Sequence, residues 1–288
     1  MSKTWMILSL IATVALAAPV KVPAAEPVDT TPAENLGWKL GVQTYSFNRF
    51  TFFEAVDKAA SIGLRYVEAY PGQRIAADID GQIGVGMSEE QLRAVEQKLE
   101  SAGIRVVAFG VVGLSADEAE SRRVFDWCKR MGVEVINTEV RENAFDTLEK
   151  LSREYGIRVG LHNHPEPSFY WNPETVLQAI EGRGDWIGAC ADTGHWMRSG
   201  LNPVECLRQL EGRIVSMHFK DLNRMGKGAH DVPWGTGQGD VPAMLAELKR
   251  QGFRGPISAE YEHNWLESLP EIHQSIANFV KFARELAE

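Results

Sequence analysis

Four stretches of the chain, RVGLHNH (158–164), IGACADTGH (187–195), IVSMHFKD (214–221) and PISAEYE (256–262), each join a short apolar run to a metal-type side chain near its carboxyl end. Those side chains are His162, Asp192, His218 and Glu260. In a (β/α)8 barrel the chemistry sits where each strand hands over to its loop. One such residue means little. Four in succession, mixing nitrogen and oxygen donors, predict a divalent-metal site holding a small polar substrate.

Working outward, the same rhythm fills the chain. Strands are predicted at 40–46, 65–69, 106–110, 133–138, 158–162, 187–191, 214–219 and 257–261. Between them lie amphipathic helices with clear boundaries. Ser88 to Gln91 forms a capping-box pattern ahead of Leu92, Val95 and Leu99, and Gly103 ends that run. Asn172-Pro173 and Asn202-Pro203 open two more. Eight strand–helix units predict an α/β fold, a single (β/α)8 TIM barrel. An open doubly wound sheet is the alternative, but GVQTYSF (41–47) stands where its glycine-rich phosphate loop belongs. Two connections, 71–87 and 221–240, exceed what a crossover needs and fall on the catalytic face. They read as pocket-building loops, with a disordered insertion as the plainer reading of the first.

The amino terminus reads as a signal peptide over 1–17: Lys3, an uncharged apolar run over 5–17, and the small-x-small ending Ala15-Leu16-Ala17. That run is too short for a comfortable membrane span, so the mature form is expected to have none. Residues 18–37 lack apolar periodicity and read as a flexible lead-in, leaving 38–288 for the barrel. The expected location is exported, periplasmic or secreted. Of the three cysteines at least one must be free or intermolecular, and Cys190 reads as a buried small residue. A net charge of -9 argues against a nucleic-acid partner. A small carbohydrate partner is expected, and a homo-oligomer is compatible with the sequence.

Spacing supports three ligands directly. Asp192 ends an apolar run, His218 is flanked by apolar residues, and Glu260 in a strand would be costly to bury unless paired or bound to a cation. The plain alternatives are a cap through Thr193 and Gly194, a hydrogen-bonded core histidine, and a salt bridge from Glu260 to Lys220 or Arg224, with Glu262 as a competing ligand. Lys220 shares the side of His218 and could polarise a carbonyl. Gln43, Tyr45 and Glu68 suit sugar hydroxyls. Trp196 and Trp234, like Tyr170 and Trp171, could stack on a sugar ring or simply pack at the rim, and Arg224 is a further substrate-binding candidate.

GVQTYSF, LHNHPE, DTGHW, HFKD, GTGQGDVPAML and FRGPISAEYE together resemble the xylose isomerase-like barrels, a superfamily of sugar epimerases, inosose dehydratases, 3-dehydroshikimate dehydratases and endonuclease IV. The resemblance spans nearly all of 38–288 and is most specific in its carboxyl-terminal half. It implies one divalent ion, manganese first, with zinc, cobalt or magnesium as alternatives. It carries Asp192, His218 and Glu260 over as ligands, and His195 as the substrate-contacting histidine of its D-T-x-H motif. The departure is His162, where the epimerases place a glutamate that binds metal and moves the proton. Imidazole can still ligate, so His162 is expected as the fourth ligand, Glu139 as a base and His164 as a pocket residue, with Glu139 or His164 as alternative ligands. The implied enzyme is a sugar isomerase/epimerase working through an enediolate on a free sugar, cyclitol or keto-sugar. Dehydratase-type lyase chemistry follows closely, because HNH and HFKD resemble the inosose dehydratases. A non-catalytic carbohydrate-binding barrel is a further alternative, and the acidic balance and signal peptide make a nuclease improbable.

Overall fold

The computed structural model describes residues 26–287. Its strands are β1 (Trp38–Gln43), β2 (Tyr66–Ala69), β3 (Arg105–Phe109), β4 (Val135–Thr138), β5 (Arg158–His162), β6 (Ile187–Asp192), β7 (Ile214–Phe219) and β8 (Gly255–Ala259). They close in chain order into one parallel barrel, with Leu40 of β1 opposite Ile257 of β8 at the seam. Every position of β6 and β7 is buried, as expected of parallel strands covered on both faces, which is why these runs read as continuous apolar stretches rather than alternating ones. The chain is therefore the TIM barrel that its rhythm predicts.

Among the described residues ten α-helices surround it: α1 (Thr31–Asn35), α2 (Phe52–Ser61), α3 (Glu89–Ala102), α4 (Glu118–Met131), α5 (Phe145–Tyr155), α6 (Pro173–Ala179), α7 (Thr193–Arg198), α8 (Pro203–Gln209), α9 (Val241–Arg250) and α10 (Leu269–Ala287). Local chemistry sets their starts. Ser88 and Gln91 satisfy each other's backbone at the start of α3, and Asn172 and Asn202 cap α6 and α8. Gly103 takes the left-handed conformation that ends α3.

Three expectations change. The flexible lead-in ends earlier than predicted: within 26–37, α1 forms, Ala33 is fully buried, and the Val28 N–H donates to the Ile62 carbonyl at 3.0 Å. A helix this short carries too few apolar residues to show a period, and its stability comes from docking on the barrel. The first strand stops at Gln43 because the Gln43 side chain caps a 3-10 turn over Thr44–Phe47, accepting from the Tyr45 N–H at 3.1 Å. The last strand stops at Ala259, since the Tyr261 N–H goes to Ser46 Oγ at 2.8 Å rather than into the ladder. Glu260 therefore stands just past β8. The predicted signal peptide and residues 18–25 lie outside the described residues. No helix among those described is long and apolar enough to cross a membrane, and all three cysteines are buried and unpaired.

Both long loops are ordered. After β2 the chain makes a hairpin bridged at Arg74 and Gln82. After β7 the Asp221 carboxylate accepts the N–H groups of Gly235, Gly237 and Gly239, each at 2.9 Å. Gly237 is required there, because a Cβ would come within 2.4 Å of both Asp221 Oδ1 and the Leu222 carbonyl.

Candidate active site

The carboxyl ends of β5 to β8 converge on one buried cluster. Asn163, between the two histidines of HNH, clamps β5 to β6: its Oδ1 accepts the Asp192 N–H at 2.8 Å and its Nδ2 donates to the Asp192 carbonyl at 3.0 Å. Asp192 then caps α7, its Oδ1 accepting the His195 N–H at 2.7 Å. The capping role and the site role thus use different oxygens of one carboxylate, because Oδ2 faces inward. There it meets Lys220 Nζ at 2.5 Å, His162 Nε2 at 3.5 Å and His218 Nδ1 at 3.9 Å.

Lys220 is fully buried and also bonds Glu260, with Glu262 at 3.4 Å. Gly194 makes room for it, since a Cβ there would lie 2.6 Å from Lys220 Cδ. Burial alone would raise the Asp192 and Glu260 carboxyls, but the cationic groups around them outweigh it and hold both well below the ordinary carboxylate range. Burial likewise opposes the Lys220 charge, and the Asp192 and Glu260 carboxylates overcome it and raise its pKa.

Two imidazoles present a nitrogen to this pair of carboxylates. His218 Nε2 is held by Glu68 Oε1 at 2.9 Å, leaving Nδ1 at 3.1 Å from Glu260 Oε2. His162 Nδ1 faces Glu139 Oε1 at 3.4 Å, leaving Nε2 buried with no hydrogen-bond partner among the described residues. In each ring one nitrogen donates to a carboxylate and the other points at Asp192 or Glu260. That is how metal-binding histidines are oriented. Burial pushes both rings toward neutrality, yet the Asp192 and Glu139 carboxylates raise His162 to about 9, and neighbouring Cys190 together with Glu68 and Glu260 raises His218 well above its ordinary value. His162, Asp192, His195 and Glu260 bring donor atoms within 4.8 Å of one another, and His218 Nδ1 stands beside Glu260, so the cluster offers several nitrogen and oxygen donors to a cation.

His195 also brings its Nε2 close to this group, 3.6 Å from Asp192 Oδ2. Its Nδ1, however, lies 3.0 Å from Arg198 Nη1, and a guanidinium only donates. Nδ1 is then the acceptor and Nε2 carries the proton, so His195 offers a donor rather than a lone pair. Burial drives this ring well below its usual pKa and keeps it neutral. Arg198 also binds Asp231 at 2.8 Å and Glu262 at 2.5 Å, closing the far side of the cluster.

Glu139 stands behind the site. Its Oε1 bonds His164 Nδ1 as well as facing His162. Burial raises its carboxyl, but the two imidazoles lower it to about 2. In this arrangement Glu139 orients two histidines.

The open pocket above the cluster has a volume of about 210 Å³, with Gln43, Tyr45, Tyr70, His164, Glu260 and Glu262 in its wall. Both ends of the Gln43 amide are engaged, by the Gly110 carbonyl at 2.8 Å and the Tyr45 N–H. Four expected substrate contacts lie elsewhere. Glu68 is fully buried beneath the site, where it holds Asn137, His218 and Ser258. Trp196 is buried in the hydrophobic core. Trp234 packs on Phe219 and Phe279 at centroid distances of 4.8 and 5.6 Å. Arg224 is exposed and bonds the Lys227 carbonyl at 3.2 Å. The two tryptophans follow strand ends in sequence, but the following segments turn their rings back onto the barrel.

Sequence reasoning missed Asn137, Asn163, Ser258, Arg198, Asp231 and Tyr70. Asn137 and Ser258 carried a usable signal, as polar residues inside otherwise apolar strands. Arg198 and Asp231 gave none, because their pairing joins segments 33 residues apart.

Residues 56–282 match the family described as xylose isomerase-like TIM barrel. An inosose dehydratase from Clostridium botulinum is 24% identical over 212 residues, covering 68% of this chain and 67% of that protein. A crystal structure of an uncharacterized protein from Parabacteroides distasonis superposes with a TM-score of 0.69 at 32% identity, covering 87% of this chain and 99% of that one. A xylose isomerase-like TIM barrel protein from Mycobacterium smegmatis, solved in complex with magnesium, gives a TM-score of 0.71 over 87% of this chain and 98% of that one. At 13% identity it shows the shared fold.

Proposed function

Because the chain belongs to the xylose isomerase-like TIM barrel family, we propose that it is a metal-dependent sugar isomerase or lyase. It removes a proton from the carbon beside a carbonyl of a free sugar, cyclitol or keto-sugar. The observation that carries this reading is the orphaned His162 Nε2, aimed with His218 Nδ1 at the carboxylates of Asp192 and Glu260. These four residues would hold the ion. When bound, it supplies Lewis-acid stabilisation of the negative charge that develops on the carbonyl oxygen.

The chain's own groups divide the remaining work. His164 reaches the pocket with Glu139 on its Nδ1, so Nε2 is the atom that takes up or returns the proton. Lys220 joins the inward-facing oxygens of Asp192 and Glu260, and His195 offers its Nε2 proton toward the same space. Glu262, tied to Arg198, forms the wall beside Glu260.

Elimination is favoured over epimerisation. Epimerisation needs a proton-moving group on each face of one carbon, yet the two carboxylates at the pocket, Glu260 and Glu262, come from one segment, and the β5 position holds the buried His162. Similarity to a protein named inosose dehydratase supports the same choice. The test is incubation of the manganese-loaded protein with candidate keto-sugars in deuterated water. An unsaturated product supports elimination, deuterium wash-in without loss of a group supports isomerisation, and no exchange with any candidate refutes the proposal.

A further inference from the structure

The hairpin between β2 and α3 is more than a connection. Its Gly72 N–H donates to Ile83 at 2.9 Å and its Ile83 N–H to Gln73 at 2.8 Å. It is pinned to α2, whose Phe52 and Phe53 N–H groups donate to the Arg74 and Ile75 carbonyls at 2.8 and 3.0 Å. Gln91 Nε2 holds the Asp80 carbonyl at 2.7 Å, and Ile75 and Ile83 are buried beneath. This is a rigid wall. Against it lies a cleft of about 650 Å³, lined by Arg74, Asp80, Gln82, the apolar Ile83 and Val85 and the backbone of Gly81, Gly84 and Gly86, and sharing Pro71 with the catalytic pocket. Nothing lies within 4 Å of where a Cβ would sit on Gly86, whose backbone is also not left-handed, so neither packing nor turn geometry requires a glycine there.

The size of the catalytic pocket points the same way. At about 210 Å³ it holds little more than one ring, below the range of about 300–1,000 Å³ usual for ligand sites. Tyr45 at its mouth meets Tyr70 edge-on at 5.2 Å and Trp265 at 5.7 Å, giving an aromatic rim against which the C–H face of a sugar can lie. The cleft beyond Pro71 offers a guanidinium, a carboxylate, an amide and bare peptide groups. With the exposed Val85 side chain in the same wall, the mixture suits a ring that carries both hydroxyls and a C–H face, as a sugar does.

We infer that the substrate is a two-unit glycoside, with the reacting ring in the catalytic pocket and a second hydroxylated ring seated over Pro71 in the hairpin cleft. This rests on the carbohydrate reading above and adds the size of the substrate to it.

The test measures binding of glucose, cellobiose and maltose to the manganese-loaded protein by calorimetry, for the wild type and for the Arg74→Ala/Gln82→Ala double variant. Both positions are exposed and outside the catalytic cluster. The added hydrogen bonds of the second ring predict that one of the disaccharides binds at least about tenfold more tightly than glucose. The double variant should lose that advantage while its glucose affinity stays unchanged. Equal affinity for one and two rings, an advantage that survives the double variant, or no binding of any probe overturns the inference. Deuterium exchange on a one-ring keto-sugar without any two-ring preference would leave the proposed chemistry standing and remove only this extension. A two-ring preference without exchange on any keto-sugar would do the reverse.

Discussion

Replacing Lys220 with methionine tests the electrostatic core of the site. The ammonium is fully buried and joins Asp192 Oδ2, at 2.5 Å, to Glu260. Methionine keeps the length and removes the charge, leaving two carboxylates facing each other without their shared cation. Breaking a buried ion pair by deleting one partner costs about 3–5 kcal/mol. For a barrel of this size each kcal/mol moves the midpoint by about 2–4 °C, so the metal-free variant should melt on the order of 10 °C below wild type. A divalent ion supplies the missing charge at the same oxygens. Thermal unfolding in chelator and then in manganese should therefore show the variant recovering most of its loss, with a larger metal-induced gain than wild type. A drop below about 1 kcal/mol in chelator, or a loss that manganese does not repair, would refute the argument that Lys220 and a metal serve the same two carboxylates.

Other outcomes follow from individual contacts. His164→Gln should slow formation of the unsaturated product by about 10²–10⁴-fold while leaving the bound manganese, measured by atomic emission, in place. Loss of the metal instead would make His164 a ligand. Burial raises the Asp231 carboxyl from 3.8 to about 7. A raised folded-state value favours the folded protein fully below pH 3.8, and that contribution is lost as pH climbs through 7, by at most about 4 kcal/mol. Urea unfolding of wild type and Asp231→Asn at pH 5 and pH 8 should show the variant gaining relative stability at the higher pH; no change in the difference would contradict the shift. Gly237→Ala drives a Cβ to within 2.4 Å of Asp221 Oδ1 and should cost about 1–3 kcal/mol in the same assay. An unchanged midpoint would mean that the loop relaxes freely.

Fold and site were legible in the sequence to different depths. Strands such as β5 and β7 could be bounded to the residue because burial on both faces leaves uninterrupted apolar runs between turn signals. The ends of β1 and β8 could not, since the Gln43 cap and the Ser46–Tyr261 bond are settled by side chains that become neighbours only after closure. The same distinction separates the site residues. His162, Asp192, His218 and Glu260 advertise themselves as polar ends of apolar runs. The roles of Glu139 and Glu68 depend on what stands opposite them across the barrel, which periodicity does not encode. Trp196 and Trp234 misled because proximity to a strand end does not fix which way a ring turns.

The Glu68 carboxylate has a consequence for how such a protein can change over generations. It takes hydrogen bonds from Asn137 on β4, His218 on β7 and Ser258 on β8, so a single side chain of β2 ties together three other strands in the dry interior. Losing His218 would therefore remove one of the three partners of a buried carboxyl at the centre of the barrel, so a change in the site would also cost stability. A lineage cannot discard His218 alone without that cost. Glu68 and His218 have to be given up together, and the rarity of such paired changes would preserve the site even in descendants that had stopped using it.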